Sequence, residues 1–184
     1  MLIEHNKEKL INAIIYFVNN TKFCGKTKLF KLLYFLDFEH FSTTGRSVTG
    51  LDYYAWPKGP VPNELYDELD HPSEAISKSM AIGTKVAVNG KEMLDIQPKC
   101  HFVPDFFSKR ERKLLENLSS EYCNSYAGDM VEATHLENLP WHEIYEVKGL
   151  KQSYIPYELA LKKAEYEQII KNVIENDEFK ENYK

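Results

Sequence analysis

The stretch KLFKLLYFLDFEHF, Lys28 to Phe41, decides the fold. On a helical wheel of about 100° per residue, Leu29, Leu32, Leu33, Leu36 and His40 fall along one side. Phe30, Tyr34, Phe38 and Phe41 fall along a second side, and Phe35 points away from both. The polar exceptions are Lys31, Asp37 and Glu39. A helix that is apolar almost all round is surrounded by other elements instead of lying on a surface. Asp37 lies in angle between Leu33 and Phe30, so a carboxylate is expected inside the core.

Downstream of this helix, Ser42-Thr43-Thr44 unwinds the chain and Gly45 closes it. Tyr53-Tyr54-Ala55-Trp56 reads as a short strand. Pro57, Pro60 and Pro62 fix three φ angles within six residues, and Gly59 supplies freedom between them, which predicts a rigid turn over Trp56–Pro62. Asn63 is placed to cap a short helix over Glu64–Leu69. Upstream, Ile3, Leu10, Ile14 and Phe17 predict a first helix over Ile3–Val18, and Thr27 offers an N-cap for the central helix. Gly25-Lys26-Thr27 resembles the end of a phosphate-binding loop, but Asn20 occupies the position of that loop's first glycine and a helix, not a strand, precedes it.

Further along, Glu74–Ala81 reads as a short turn of helix. Lys85–Val88 and Glu92–Ile96 flank Asn89-Gly90, a hairpin signal. A lone hairpin is marginal in water, so this one is expected to pair with the Tyr53 strand. Ser108 and Glu111 form a capping box for a helix whose inner face carries Leu114, Leu115, Leu118 and Tyr122. Gly128 separates it from a helix containing Met130, Val131 and Thr134. Pro140-Trp141 opens a further turn, and Pro156 precedes a last helix with the stripe Tyr166, Ile169, Ile170, Val173 and Ile174. The expected architecture is α+β: one predominantly helical domain around a buried central helix, with a small antiparallel sheet of a hairpin plus one short strand. Residues 1–176 form that domain and residues 177–184 a charged, frayed tail.

Composition narrows the function classes. Hydrophobic residues make up 43% of 184 and aromatics 13%, which excludes disorder over most of the length. The formal charge of −5 argues against a chain-wide nucleic-acid footprint. Cys24, Cys100 and Cys123 match neither a disulfide framework nor a zinc spacing. No secretory leader and no membrane span are read, and the expected location is cytoplasmic. The six histidines, His5, His40, His71, His101, His135 and His142, are scattered without ligand spacing, so no metal, cofactor or catalytic set is expected and the chain reads as a non-enzyme.

KLFKLLYFLDF, then Tyr54-Ala55-Trp56 and Gly59-Pro60-Val61, then Thr134-His135 and Pro140-Trp141, resembles the Panacea domain family, also described as SocA-like or phage-associated GepA-like. The resemblance runs in the expected order over about residues 5–160. Lys58 departs from it, since many members carry an aromatic residue before Gly-Pro-Val. The resemblance implies a mostly helical domain with a small antiparallel sheet, and an antitoxin that neutralises a cognate toxin protein by binding it. For some members it implies delivery of a bound toxin to a protease.

The candidate partner-binding residues are Tyr53, Trp56, Lys58, Pro60 and Val61, because Tyr and Trp are common hot-spot residues and the turn is rigid. Asp37 is the candidate orienting residue, accepting backbone N–H groups of that turn. Lys22, Lys26, Lys28 and Lys31 read as a solvated basic rim. A DNA-binding regulator is the competing class, since the helix pair and hairpin imitate a winged helix. No predicted helix carries the basic face that recognition needs, so nucleic acid is not the expected partner.

Overall fold

The central helix, α2, spans Lys26–Thr44 and is buried on every side. In the computed structural model, which describes residues 7–87, 90–136 and 139–161, every α2 residue from Lys28 to Phe41 except Glu39 is buried. The other elements wrap around it in chain order. Helix α1 (Lys7–Asn20) precedes it, and strands β1 (Tyr53–Trp56) and β2 (Gly59–Pro62) follow. Helices α3 (Asn63–Asp70) and α4 (Glu74–Ser79) lead to strands β3 (Met80–Val86) and β4 (Glu92–Pro98). The remaining helices are α5 (Lys109–Glu121), α6 (Ala127–Thr134) and α7 (Pro140–His142), the last running into a wide π-type turn over Glu143–Val147. The architecture is the expected α+β domain around a buried helix.

The ends of α2 follow local chemistry. Gly45, at φ +69, turns left-handed and donates its N–H to Phe41 O, the helix end glycine favours. The start differs from expectation. Gly25 is the N-cap, with no side chain to accept from the first turn, and Thr27 lies inside the helix. Likewise Pro62, not Asn63, precedes α3, so Asn63 is its first residue and makes no cap hydrogen bond. At Ser108 the expected capping box is present: Glu111 N donates to Ser108 Oγ, and Ser108 N donates to Glu111 Oε2 at 2.6 Å. Gly128 is no separator. It sits in the first turn of α6, where Tyr126 N donates to Asp129 Oδ2.

The sheet arrangement corrects the sequence reading. β1 and β2 form one antiparallel pair, Tyr53 opposite Pro62 and Trp56 opposite Gly59; β3 and β4 form a separate one, Met80 opposite Pro98 and Val86 opposite Glu92. The second pair does not join β1. The free edge of β1 is taken instead by the segment from Gln152 to Ile155: Ala55 N donates to Ser153 O, Gln152 N to Ala55 O and Ile155 N to Tyr53 O. β1 uses Tyr53 and Ala55 on that side, which leaves Tyr54 and Trp56 to face β2. Pro60 and Pro62 therefore sit at positions of β2 whose missing N–H points away from the ladder, the only arrangement that tolerates two prolines in four residues. The turn predicted over Trp56–Pro62 is thus a hairpin whose second arm is a strand. The β3–β4 pair instead buries Met80 and Ile96 beside α4 and α1. Its strands approach each other at Ala87 N and Lys91 O, with Gly90 at φ +76 in the connection.

The predicted first helix begins outside the described residues, as do the stripe from Tyr166 to Ile174 and the charged tail. The three cysteines are free. No described helix is long and apolar enough to cross a membrane.

Candidate functional site

Asp37 is fully buried and accepts four hydrogen bonds, from Val48 N (2.8 Å), Thr49 N (2.6 Å), the Thr49 hydroxyl and Tyr53 Oη (2.8 Å). Burial pushes its pKa up to about 6, and these four donors oppose that rise. The expected partner of this carboxylate was the Trp56–Pro62 turn; its partners are the Val48–Thr49 loop and the first residue of β1. The reason is angular. Asp37 leaves α2 on the side where the chain returns from Gly45, about two helical turns from the helix end.

The α2 residue that meets the hairpin is Lys31. It is 1% exposed, and its ammonium donates to Pro60 O at 2.7 Å. Loss of hydration lowers its pKa to about 7. Gly59, at φ +93, lies against this side chain: a Cβ there would stand 2.7 Å from Lys31 Cε and 2.7 Å from Thr134 Oγ1. Only glycine fits, by conformation and by space. Lys28 is also buried. Its ammonium donates to Lys22 O, Tyr122 O, Cys123 O and Ser125 O at 2.6–3.3 Å, joining the α1–α2 connection to the end of α5. The basic rim expected of Lys22, Lys26, Lys28 and Lys31 is therefore not one: two of its four members are interior ammonium groups satisfied by carbonyls.

The far side of the hairpin is held by α6 and α7. Trp141 Nε1 donates to Trp56 O at 2.9 Å. His135 stacks on Trp141 with ring centres 3.7 Å apart and planes 2° apart, and Tyr145 continues the stack at 4.7 Å. Burial, with the nearby Lys31 charge, lowers the pKa of His135. Thr134 Oγ1 donates to Val131 O, which leaves its methyl and oxygen as the wall behind Gly59.

Lys31, Gly59-Pro60, Thr134-His135 and Pro140-Trp141 are far apart in the chain and form one contact set. A family model described as antitoxin SocA-like, Panacea domain, matches residues 29–142, more than half of the chain. The chain belongs to the SocA-like Panacea family. The comparisons with curated proteins and with solved structures return no match. The matched span of this Panacea domain runs from the first buried leucine of α2 to the end of α7, and so encloses Lys31, Gly59-Pro60, Thr134-His135 and Pro140-Trp141, while the Gln152–Ile155 segment on the β1 edge lies beyond it.

Within this Panacea domain the five candidate partner-binding residues share one hairpin but not one environment. Tyr53 is fully buried, with its hydroxyl on Asp37 and its ring edge-on to Tyr34, Phe38 and Tyr157. Pro60 is buried against Lys31, and Val61 is 7% exposed. Trp56 is half-buried, packed against Tyr66 at 5.4 Å, and Lys58 is exposed beside Pro57. The surface of the hairpin is therefore its tip, Trp56 to Lys58. Sequence reasoning missed Lys28 and Lys31 as interior groups, although both lie in the all-round apolar helix, where a lysine must find carbonyl acceptors.

Proposed function

We propose that this Panacea-domain protein is an antitoxin-type binding module that neutralises a cognate toxin protein by direct contact, through the tip of the β1–β2 hairpin. The observation that carries the reading is the contact set around that hairpin. Lys31 and Thr134, packed against Gly59, and Trp141, bonded to Trp56 O, all within the span matched by the antitoxin family, hold the hairpin from both sides. A hairpin fixed in this way presents Trp56 and Lys58 with little conformational entropy left to lose on docking. Trp in a partly desolvated setting is a common anchor of protein interfaces. Nothing in the reading needs a chemical step, a cofactor or a metal.

The test is co-expression with the product of the neighbouring reading frame, followed by pull-down and growth rescue. Wild-type protein binds that product and restores growth, and Trp56→Ala combined with Lys58→Glu abolishes both while circular dichroism shows the variant still folded. A wild-type chain that neither binds nor rescues refutes the reading.

A further inference from the structure

Among the described residues, every strand edge of this fold but one is closed. β1 is sealed by the Gln152–Ile155 segment. β2 carries Pro60 and Pro62 at its outward positions, and Lys31 takes its Pro60 carbonyl. β4 ends in Pro98 and lies beside α1, with the Met93 side chain over Gly25. β3 has none of these devices. It runs Met80-Ala81-Ile82-Gly83-Thr84-Lys85-Val86 without a proline, and its charged residue, Lys85, is paired with Asp95 of β4 at 2.6 Å. A strand edge left in this state is a template for another strand.

Parity decides which groups the edge offers. Lys99 N donates to Ser79 O and Ala87 N to Lys91 O at the two ends of the β3–β4 ladder. Odd-numbered residues of β3 therefore turn their N–H and C=O toward β4, and even-numbered residues turn theirs away. Met80 N is used by Ile76 O. The N–H and C=O groups of Ile82, Thr84 and Val86 have no partner among the described residues. Their side chains share one face of the strand. Val86, at 71%, is the most exposed large apolar side chain among the described residues.

We propose that this edge pairs with β3 of a second copy of the chain, antiparallel about a two-fold axis at Thr84, in a continuous sheet of order β4-β3-β3-β4. The sequence is self-complementary in that register. Thr84 faces Thr84 of the second copy, and Ile82 faces Val86 of the second copy on either side of the axis. All three are β-branched, the kind of side chain that pairs well across strands. On the opposite face Lys85 falls opposite Gly83 of the second copy, so the two ammonium groups do not meet. With the axis at Lys85 they would meet head on. With the axis at Gly83, Val86 would fall opposite Met80, whose N–H is already used. The contact is one strand wide, so the dimer is weak and exchanges with monomer at micromolar concentration. The inference stands on backbone parity and does not rest on the antitoxin reading.

Analytical ultracentrifugation of the full chain from about 5 to about 500 μM tests it, with monomer giving way to dimer as concentration rises. Val86→Lys alters an exposed side chain, and Thr84→Pro removes an outward N–H without touching the β3–β4 ladder. Each weakens dimerisation by about tenfold or more while circular dichroism shows the variant folded. Should Thr84→Pro disturb β3, Val86→Lys and amide exchange still decide. Exchange reads the register: Ala81, Gly83 and Lys85 are protected at every concentration, and Ile82, Thr84 and Val86 slow severalfold only as the dimer forms. A chain that stays monomeric overturns the proposal, as does a dimer that survives Val86→Lys or leaves those three amides fast. Protection of the three in dilute monomer would mean that the chain covers its own edge, and it overturns the proposal too. Protection that comes only with the neighbouring gene product assigns the edge to a foreign strand and overturns self-pairing.

Discussion

The Lys31 ammonium and the Pro60 carbonyl, 29 residues apart, meet at 2.7 Å inside the protein and tie the central helix to strand β2. Most buried cations are paired with carboxylates; this one is held by a backbone oxygen, and the ordinary lysine pKa of 10.5 falls to about 7.

Its pH dependence follows. Between about 7 and 10.5 the unfolded chain holds the Lys31 proton and the folded chain does not, so stability rises with pH, by at most about 1.4 kcal/mol per unit. The contribution is complete above 10.5 and is lost as pH falls through 7. Urea unfolding of wild type and Lys31→Met from pH 6.5 to 9.5 measures it: the wild type gains on the variant as pH rises. Parallel curves would count against a buried, depressed lysine.

Gly59→Ala combines a left-handed φ with a Cβ 2.7 Å from both Lys31 and Thr134. The expected loss is about 2–4 kcal/mol, seen as a lower urea midpoint. Adding Lys31→Ala relieves one of the two close contacts but not the φ, so the double variant is more stable than the sum of the single losses and less stable than the parent.

Asp37→Ala leaves Val48 N, Thr49 N, the Thr49 hydroxyl and the Tyr53 hydroxyl without their acceptor in the core, and costs about 3 kcal/mol or more. Tyr53→Phe removes one donor and costs about 1 kcal/mol. The Asp37 pKa, raised from 3.8 to about 6, has the opposite pH sense to Lys31: its contribution is complete below 3.8 and is lost as pH rises through 6. Asp37→Asn flattens the stability profile across that window, and an unchanged slope there would sink the assignment.

Lys28→Met keeps the volume of the side chain and takes the ammonium from four carbonyl groups, of which those of Tyr122 and Cys123 keep the N–H donors Ser125 and Lys22 and those of Lys22 and Ser125 do not. Global stability falls by about 2–3 kcal/mol. Amide exchange of Lys22, which donates to Cys123 O across the same joint, accelerates more than that of the α2 interior. Uniform acceleration would show that Lys28 does not organise this junction.

Much of the fold was legible because burial writes itself into helical periodicity. KLFKLLYFLDFEHF could only be a surrounded helix, Gly45 could only end it, and Ser108 with Glu111 marked α5 directly. Strand partnership was not legible. Nothing local to Tyr53–Trp56 says whether its free edge goes to Lys85–Ile96 or to residues 152–155, because the bonds are made by backbone atoms that every residue carries. Prolines concealed β2 for the opposite reason: they signal a turn, and only the parity of Pro60 and Pro62 against β1 makes them compatible with a strand. The site was half legible. Lys58 reads as an exposed residue and is one, while Trp56 is half-buried against Tyr66; Lys28 and Lys31 read as rim because an isolated charge is normally solvated, and most of the acceptors that hold them inside, Pro60 O in β2 and the carbonyls after α5, come from chain far from α2.

The edge of β1 that closes last has a consequence for how the protein is made. β2 follows β1 after two residues, but Ser153 and Ile155 follow about a hundred residues later. During synthesis the ribosome has released α1, α2, the hairpin, β3–β4 and α5–α7 before the strand that seals Tyr53 and Ala55 appears. Until then the Leu51 carbonyl lacks the Tyr157 hydroxyl, which reaches it at 2.5 Å, and Phe38 and Phe41 lack the ring that stacks on both. A nascent chain arrested before residue 152 therefore carries an open strand edge over an uncovered aromatic core, the kind of surface that chaperones and proteases recognise.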